Sequence, residues 1–305
     1  MPDRSGTAPV PSRTRFAPSV TGHLHLGHLV NAIHVWGIAR ATDAQVALRL
    51  EDHDRRRFRA EYEASILDDL DWLGLTPDLG RTFEYRAGPT PWRQSDGVHR
   101  YERALAHLIE QGLVYACACS RAAVNVDATP GEEPRYPGTC RDRGLPFDGH
   151  RLRVRLGDGS ESFKDLRLGE QRQRPDQQCG DLAIRDANGD WTYQFAVTVD
   201  DMAQEVSLVI RGQDLLSSTG RQLRLARLLG RTTPPRFLHH PLVTDPSGRK
   251  LSKRDFAKSL RDHRAEGRTP ESLMGEAAHL AGLIERPRSL AVAELAGLFS
   301  DASAG

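Results

Sequence analysis

The sequence predicts an α/β protein built on a parallel sheet, and three observations carry that prediction. Strand and helix patterns alternate through residues 13–74. A glycine-containing turn, Thr21 to His28, runs directly into a helical periodicity. A Gly/Pro/Arg-rich stretch from Cys117 to about Cys179 then interrupts an α/β pattern that resumes after it. Alternating strands and helices in succession favour parallel pairing with crossover helices.

In chain order, Thr14 to Ala17 is a short apolar–polar alternation, turned by Pro18-Ser19-Val20-Thr21-Gly22. Residues 26–41 repeat apolar side chains at helical spacing (Leu26, Leu29, Val30, Ile33, Trp36). Val46, Leu48 and Leu50 alternate as a strand that ends in Glu51-Asp52. An amphipathic helix over 60–74 closes on Gly74, and another over 96–112 closes on Gly112. Strand candidates at 152–156 and 162–166 lie in the interrupting stretch, and the pattern resumes at 182–184 and 193–199. A strand at 207–210, a helix at 219–229 and a helical, Ala/Leu-rich region at 257–300 complete the reading. The implied division is a first catalytic half at 13–115, an inserted subdomain at 116–181 and a second half at 182–245. A loop and helical region at 246–300 follow, and the polar, Pro/Ser-rich residues 1–12 read as a disordered leader.

Charge narrows the function classes. Charged residues make up 27% of 305, yet the net charge is +1, which excludes a polycation. The bias is local: 135–174 holds nine Arg and one Lys against six acids, and 221–268 holds thirteen Lys/Arg against four. Two basic regions on a near-neutral chain suit an acidic partner such as RNA phosphate. No segment approaches the roughly 18–20 apolar residues of a membrane span, so no membrane partner is expected. Cysteines stand at 117, 119, 140 and 179, a grouping that favours a metal site over disulfides.

The chemistry concentrates in two short runs. In Thr21-Gly22-His23-Leu24-His25-Leu26-Gly27-His28, a helix start offers free N–H groups and a positive dipole end to an anion. His25 and His28 share one face there, and Gly27 lets a planar base or a phosphate approach the backbone. In Lys250-Leu251-Ser252-Lys253-Arg254, two compact ammonium groups follow a Pro-Ser-Gly turn. Lysines of this kind can track phosphate oxygens as charge moves. A third set would receive an acidic amino acid. Arg15 and Arg211 end strands where ligands bind in open α/β sheets, and arginine pairs bidentately with carboxylates. Glu51 can accept from a substrate ammonium, and Tyr193 opens Tyr193-Gln194-Phe195-Ala196-Val197-Thr198-Val199-Asp200-Asp201.

Taken in order, these runs resemble the glutamate-specific class I aminoacyl-tRNA synthetases. Arg15-Phe16-Ala17-Pro18-Ser19-Val20-Thr21-Gly22 through His28 is similar to that family's first ATP signature, with Val20 in place of its usual proline. Lys250 to Arg254 resembles its lysine loop, with Arg254 replacing the usual serine. The resemblance implies a Rossmann-like sheet of class I synthetase topology and a glutamate site of Arg15, Phe16, Ala17, Pro18, Ser19, Glu51, Tyr193 and Arg211. It implies ATP, with Mg²⁺, held by His25, Gly27, His28, Lys250 and Lys253, among which His25, His28 and Lys253 serve catalysis.

The cysteines follow the same logic. Cys117, Cys119 and Cys140 make three corners of a tetrahedral zinc site, and chemistry alone leaves His150, Cys179 or water as ordinary fourth ligands. The pattern Cys-x-Cys then Tyr-x-x-x-Cys resembles the tRNA-nucleotide-modifying branch of the family, which implies Tyr136 as the fourth ligand and a structural Zn²⁺ stapling the insertion. Only about fifty residues follow Arg254, too few for an ordinary anticodon-binding domain. The branch implies ATP-dependent activation of L-glutamate and its transfer to the queuosine base of tRNA(Asp); a cytoplasmic monomer is expected. A 3′-end-charging synthetase and a non-catalytic tRNA- or nucleotide-binding paralogue are the competing readings.

Overall fold

A computed structural model describes residues 12–124, 134–243 and 258–304. In chain order the elements are β1 (Arg13–Phe16), α1 (Leu26–Ala41), β2 (Gln45–Leu48), α2 (Ala60–Leu73), α3 (Thr82–Ala87) and α4 (Val98–Glu110). Next come β3 (Val114–Cys117), α5 (Arg121–Val124), β4 (Arg151–Val154), β5 (Glu161–Asp165), β6 (Gly169–Gln173) and α6 (Pro175–Gln178). The remainder is β7 (Leu182–Arg185), α7 (Tyr193–Ala203), β8 (Leu208–Gly212), α8 (Thr219–Leu228), β9 (Arg236–His240), α9 (Leu260–Ala265) and α10 (Pro270–Leu280). A 3-10 segment covers Val292–Ala304.

The parallel pairings are β1 with β2, β8 with β9 and β9 with β5. Ser207, just before β8, donates from its backbone to the Arg13 carbonyl at 3.0 Å, so β1 lies between β2 and β8. This arrangement places the carboxyl ends of β1 and β8, with Arg15 and Arg211, on one side of the sheet. Ser12 already belongs to it, because its carbonyl accepts from Gln45 N at 2.7 Å. The Gly/Pro/Arg-rich stretch is not held apart by hydrogen bonding. Its β4 joins β3 and β7 in an antiparallel sheet, while β5 pairs with β9 and carries β6 antiparallel on its other edge.

α1 explains why the core sits where it does. Leu29, Val30, Ile33, Val35, Trp36 and Ile38 are all buried, so the helix is apolar around most of its circumference. Such a helix must be covered on both sides. The sheet covers one face, and α10 with the 292–304 segment covers the other. Gly37 makes the second contact possible, because a Cβ there would collide with the Phe299 ring. α2 ends at Gly74 in the left-handed conformation (φ 72°), where any other residue would be strained. The region after α9 is not one helix: residues 281–291 leave the helical state around Pro287, whose ring cannot donate to a helical ladder.

Candidate active site

His25 caps α1 from extended backbone (φ −139°) and closes a reciprocal box with His28. Gly27 N donates to His25 Nδ1 at 3.1 Å, and His25 N donates to His28 Nδ1 at 3.2 Å. Each ring thus holds one otherwise orphaned N–H of the helix start, and their centroids sit 3.9 Å apart. Both histidines and Gly27 are half-buried. The chain re-enters against this corner further along: Ser259 forms an antiparallel bridge with His25, and Leu260 N donates to Leu24 O at 2.8 Å. Lys250 and Lys253 lie outside the described residues.

The Arg15-to-Ser19 segment runs beside Arg49-Leu50-Glu51. Arg49 N donates to Phe16 O at 2.9 Å, Glu51 N to Pro18 O at 3.0 Å, and Val20 N to Glu51 O at 3.1 Å. The Phe16 ring itself faces the core, tilted on Trp36 at 5.4 Å, so this residue meets the site through its backbone. Ala17 is half-buried, Pro18 buried, and Ser19 exposed with its hydroxyl 3.0 Å from that of Thr21.

Arg15 and Arg211 are both buried, but their partners differ in kind. Arg15 Nε donates to Asp201 Oδ1 at 3.1 Å and its Nη1 to Ile210 O at 3.4 Å. Arg49, fully buried, donates to Asp201 at 2.6 Å, to Gln204 at 3.1 Å and to Glu51 at 2.9 Å. Burial alone would raise the Asp201 carboxyl, yet Arg15 and Arg49 outweigh it and hold the group at about 2. Arg211 meets neutral acceptors: His239 Nε2 at 3.0 Å, Gln222 Oε1 at 2.7 Å and Thr219 Oγ1 at 2.7 Å. Burial lowers the Arg211 guanidinium to about 10, with Arg15 adding repulsion. Burial and then the Glu51 charge raise the Tyr193 hydroxyl to about 12, while Arg211 and Arg15 pull it down. Arg15, Glu51, Tyr193 and Arg211 therefore share one electrostatic neighbourhood. His240, beside His239, is 3.1 Å from Asn31 Oδ1 on α1, which ties this pocket to the helix carrying His25 and His28.

Sequence reasoning missed the residues that support this pocket. Arg49 sits mid-pattern in an apolar strand, and its role appears only when α7 brings Asp200 and Asp201 against it. Asp200 in turn receives Gln94 Nε2 at 2.7 Å and the Tyr101 hydroxyl at 2.8 Å and pairs with Arg100 at 2.7 Å. The Arg49-Leu50-Glu51-Asp52 run and the Asp200-Asp201 pair were the available signals.

Cys117, Cys119 and Cys140 present sulfur atoms all within 4.8 Å of one another, the one such potential metal-holding group among the described residues. The Tyr136 hydroxyl lies 3.3 Å from Cys117 Sγ and 4.0 Å from Cys119 Sγ, and Cys119 and Cys140 sulfurs are 3.6 Å apart. Cys140 N donates to the tyrosine oxygen at 2.9 Å, and the Arg153 guanidinium covers its ring at 3.6 Å. The Cys179 sulfur turns instead toward the Pro175 and Gly180 carbonyls, and the His150 ring lies 3.0 Å from Asp148 O. Of the three side-chain donors Tyr136, His150 and Cys179, Tyr136 is the one whose donor atom lies beside the three thiols.

Against this geometry, comparison with known proteins is informative. Residues 11–289 match the model of the class I tRNA synthetase catalytic domain for E and Q. A glutamyl-Q tRNA(Asp) synthetase of Symbiobacterium thermophilum is 41% identical over 93% of this chain and 91% of its own length. One from Rhodobacter capsulatus is 39% identical over 85% and 97%. A glutamate–tRNA ligase of Syntrophus aciditrophicus is 39% identical, but the chain spans 59% of it. Among solved structures, the glutamate-tRNA synthetase of Elizabethkingia anophelis superposes with a TM-score of 0.75 at 24% identity, covering 94% of this chain and 65% of that one. That likeness concerns the fold.

Proposed function

The chain belongs to the class I tRNA synthetase family for glutamate and glutamine and is a ligase-type enzyme; from that premise we propose that it activates L-glutamate with ATP and transfers the glutamyl group to the queuosine base in the anticodon loop of tRNA(Asp). The observation that carries this reading is the convergence of Arg15, Glu51, Tyr193 and Arg211 beside the helix that begins at His25. The arginines offer positive charge to substrate carboxylates, and Glu51 accepts from the ammonium. His25, Gly27, His28 and the N-terminus of α1 receive the triphosphate, with Mg²⁺ neutralising part of its charge. Lys253 follows the departing pyrophosphate and Lys250 supports it. Ser259, which bridges His25, stands six positions after Lys253 in the chain.

In the first step an α-carboxylate oxygen of glutamate forms a bond to the α-phosphorus. The bond from that phosphorus to the bridging oxygen breaks, and pyrophosphate leaves with the electron pair. Positioning and charge stabilisation supply most of the catalysis such a displacement needs. A queuosine hydroxyl then attacks the activated carbonyl and AMP leaves. Cys117, Cys119, Cys140 and Tyr136 form a donor set suited to Zn²⁺, which would fix the insertion and take no part in the chemistry. The names of the Symbiobacterium and Rhodobacter relatives support the nucleotide-modifying branch.

The transfer step is tested with radiolabelled glutamate, ATP and queuosine-bearing tRNA(Asp), followed by nuclease digestion. The label should appear on an anticodon-loop fragment. Label on the terminal adenosine would replace this reading with 3′-end charging.

A further inference from the structure

Arg15 and Arg211 occupy comparable positions, yet among the described residues only Arg15 of the two meets a carboxylate directly. For Arg211 the carboxylate stands one residue further back. Asp165, at the end of β5, accepts four N–H bonds: Oδ1 from Arg167 N at 3.0 Å and Leu168 N at 2.9 Å, Oδ2 from His239 N at 3.0 Å and His239 Nδ1 at 2.6 Å. With all four sites taken by donors, Nδ1 of His239 must carry the proton, and Nε2 must present its lone pair. That lone pair faces Arg211 Nε at 3.0 Å and the Thr219 hydroxyl at 3.2 Å. Asp165 and His239 are both buried.

We propose that Asp165 and His239 are positioning residues that lock Arg211 in place through a neutral imidazole, leaving its buried guanidinium without a carboxylate in direct contact and so available to a substrate carboxylate. A carboxylate touching Arg211 directly would orient it equally well and neutralise it. The interposed ring passes on orientation without the charge. A buried cation left in this state favours an anionic side chain and penalises a neutral amide of the same shape, so the relay sets selectivity for glutamate over glutamine. The inference rests on the reading that Arg211 holds the substrate carboxylate. It extends that reading to residues on β5 and β9.

Three variants test it in glutamate-dependent ATP–pyrophosphate exchange. Asp165→Asn places an amide NH₂ against backbone N–H groups whichever way it turns and removes the negative charge that holds the proton on His239 Nδ1, so the tautomer is less firmly fixed. It should raise KM for glutamate at least about tenfold, with KM for ATP and kcat within about threefold. His239→Leu removes the acceptor and should do the same, whereas His239→Gln restores an acceptor and should return KM to within about threefold of the parent. The ratio of glutamine to glutamate KM should fall in the first two variants. A structural role alone would instead lower Tm and shift KM for ATP and kcat together, and that result, or unchanged glutamate KM, overturns the proposal.

Nitrogen-15 NMR of the histidine rings in the unaltered protein gives a readout independent of activity and of variant folding. It should show His239 neutral with Nδ1 protonated at pH 7. An Nε2–H tautomer or an imidazolium overturns the relay. Absence of exchange in the unaltered protein with the expected tautomer present would count against the proposed activity and leave the relay supported.

Discussion

At the residue scale, the proposed glutamate site depends on arginines treated in opposite ways. Arg211→Ala removes the cation proposed to hold a substrate carboxylate and should lower glutamate-dependent exchange at least about tenfold, as should Lys253→Ala through the pyrophosphate. Steady-state exchange rates for the two variants decide whether those side chains act as assigned; near-parental rates would remove them. Asp201 has a different task, because it neutralises Arg15 and Arg49 together. Asp201→Asn should destabilise the fold by about 3–5 kcal/mol, the usual cost of stranding a buried ion, measured by denaturant titration. The sign of the pH effect follows. The Asp201 carboxyl is depressed to about 2 in the folded chain, so its contribution is complete above the ordinary carboxylate range near pH 4. It is lost as pH falls from there through 2.

At the scale of elements, sequence periodicity located what packs against a single core. The 26–41 helix matches α1 end to end, and the 60–74 helix matches α2 with its left-handed glycine. What periodicity could not show is which strands become neighbours. β5 lies more than seventy residues before β9 in the chain, and nothing in Glu161–Asp165 announces that it will pair there and carry the carboxylate that holds His239. α3 escaped notice because six residues with a buried Thr82 and Tyr85 give too short a pattern. The pocket arginines were legible from their place after apolar runs. Arg49 was not, since Asp200 and Asp201 reach it from α7, about 150 residues downstream, beside the local Glu51. α2 also carries a prediction of its own. Burial raises the Asp69 carboxyl to about 7, against an opposing pull from Arg264. Folding therefore favours its protonated form, and stability falls as pH rises from about 4 through 7. Asp69→Asn should raise Tm by a few degrees at pH 8 and by much less at pH 5; equal shifts at both would refute the burial argument.

At the scale of the whole molecule, the class I sheet sets the strand ends that carry Arg15 and Arg211 beside α1, and Cys117 of the thiol cluster ends β3 in the antiparallel sheet. Among the described residues, no helix is long and apolar enough to cross a membrane. If the thiol cluster staples its region, elemental analysis should find about one zinc per chain, and Cys140→Ser should abolish it. Exchange without tRNA should survive that loss better than transfer to tRNA does. The basic 135–174 and 221–268 regions predict that tRNA binding weakens steeply with salt, read as the slope of log affinity against log salt.

The most direct test of the central claim, one pocket holding glutamate and ATP together, is pyrophosphate exchange in the absence of tRNA. Exchange should require glutamate, with glutamine unable to replace it. Exchange that is absent, or that proceeds equally with glutamine, would contradict it.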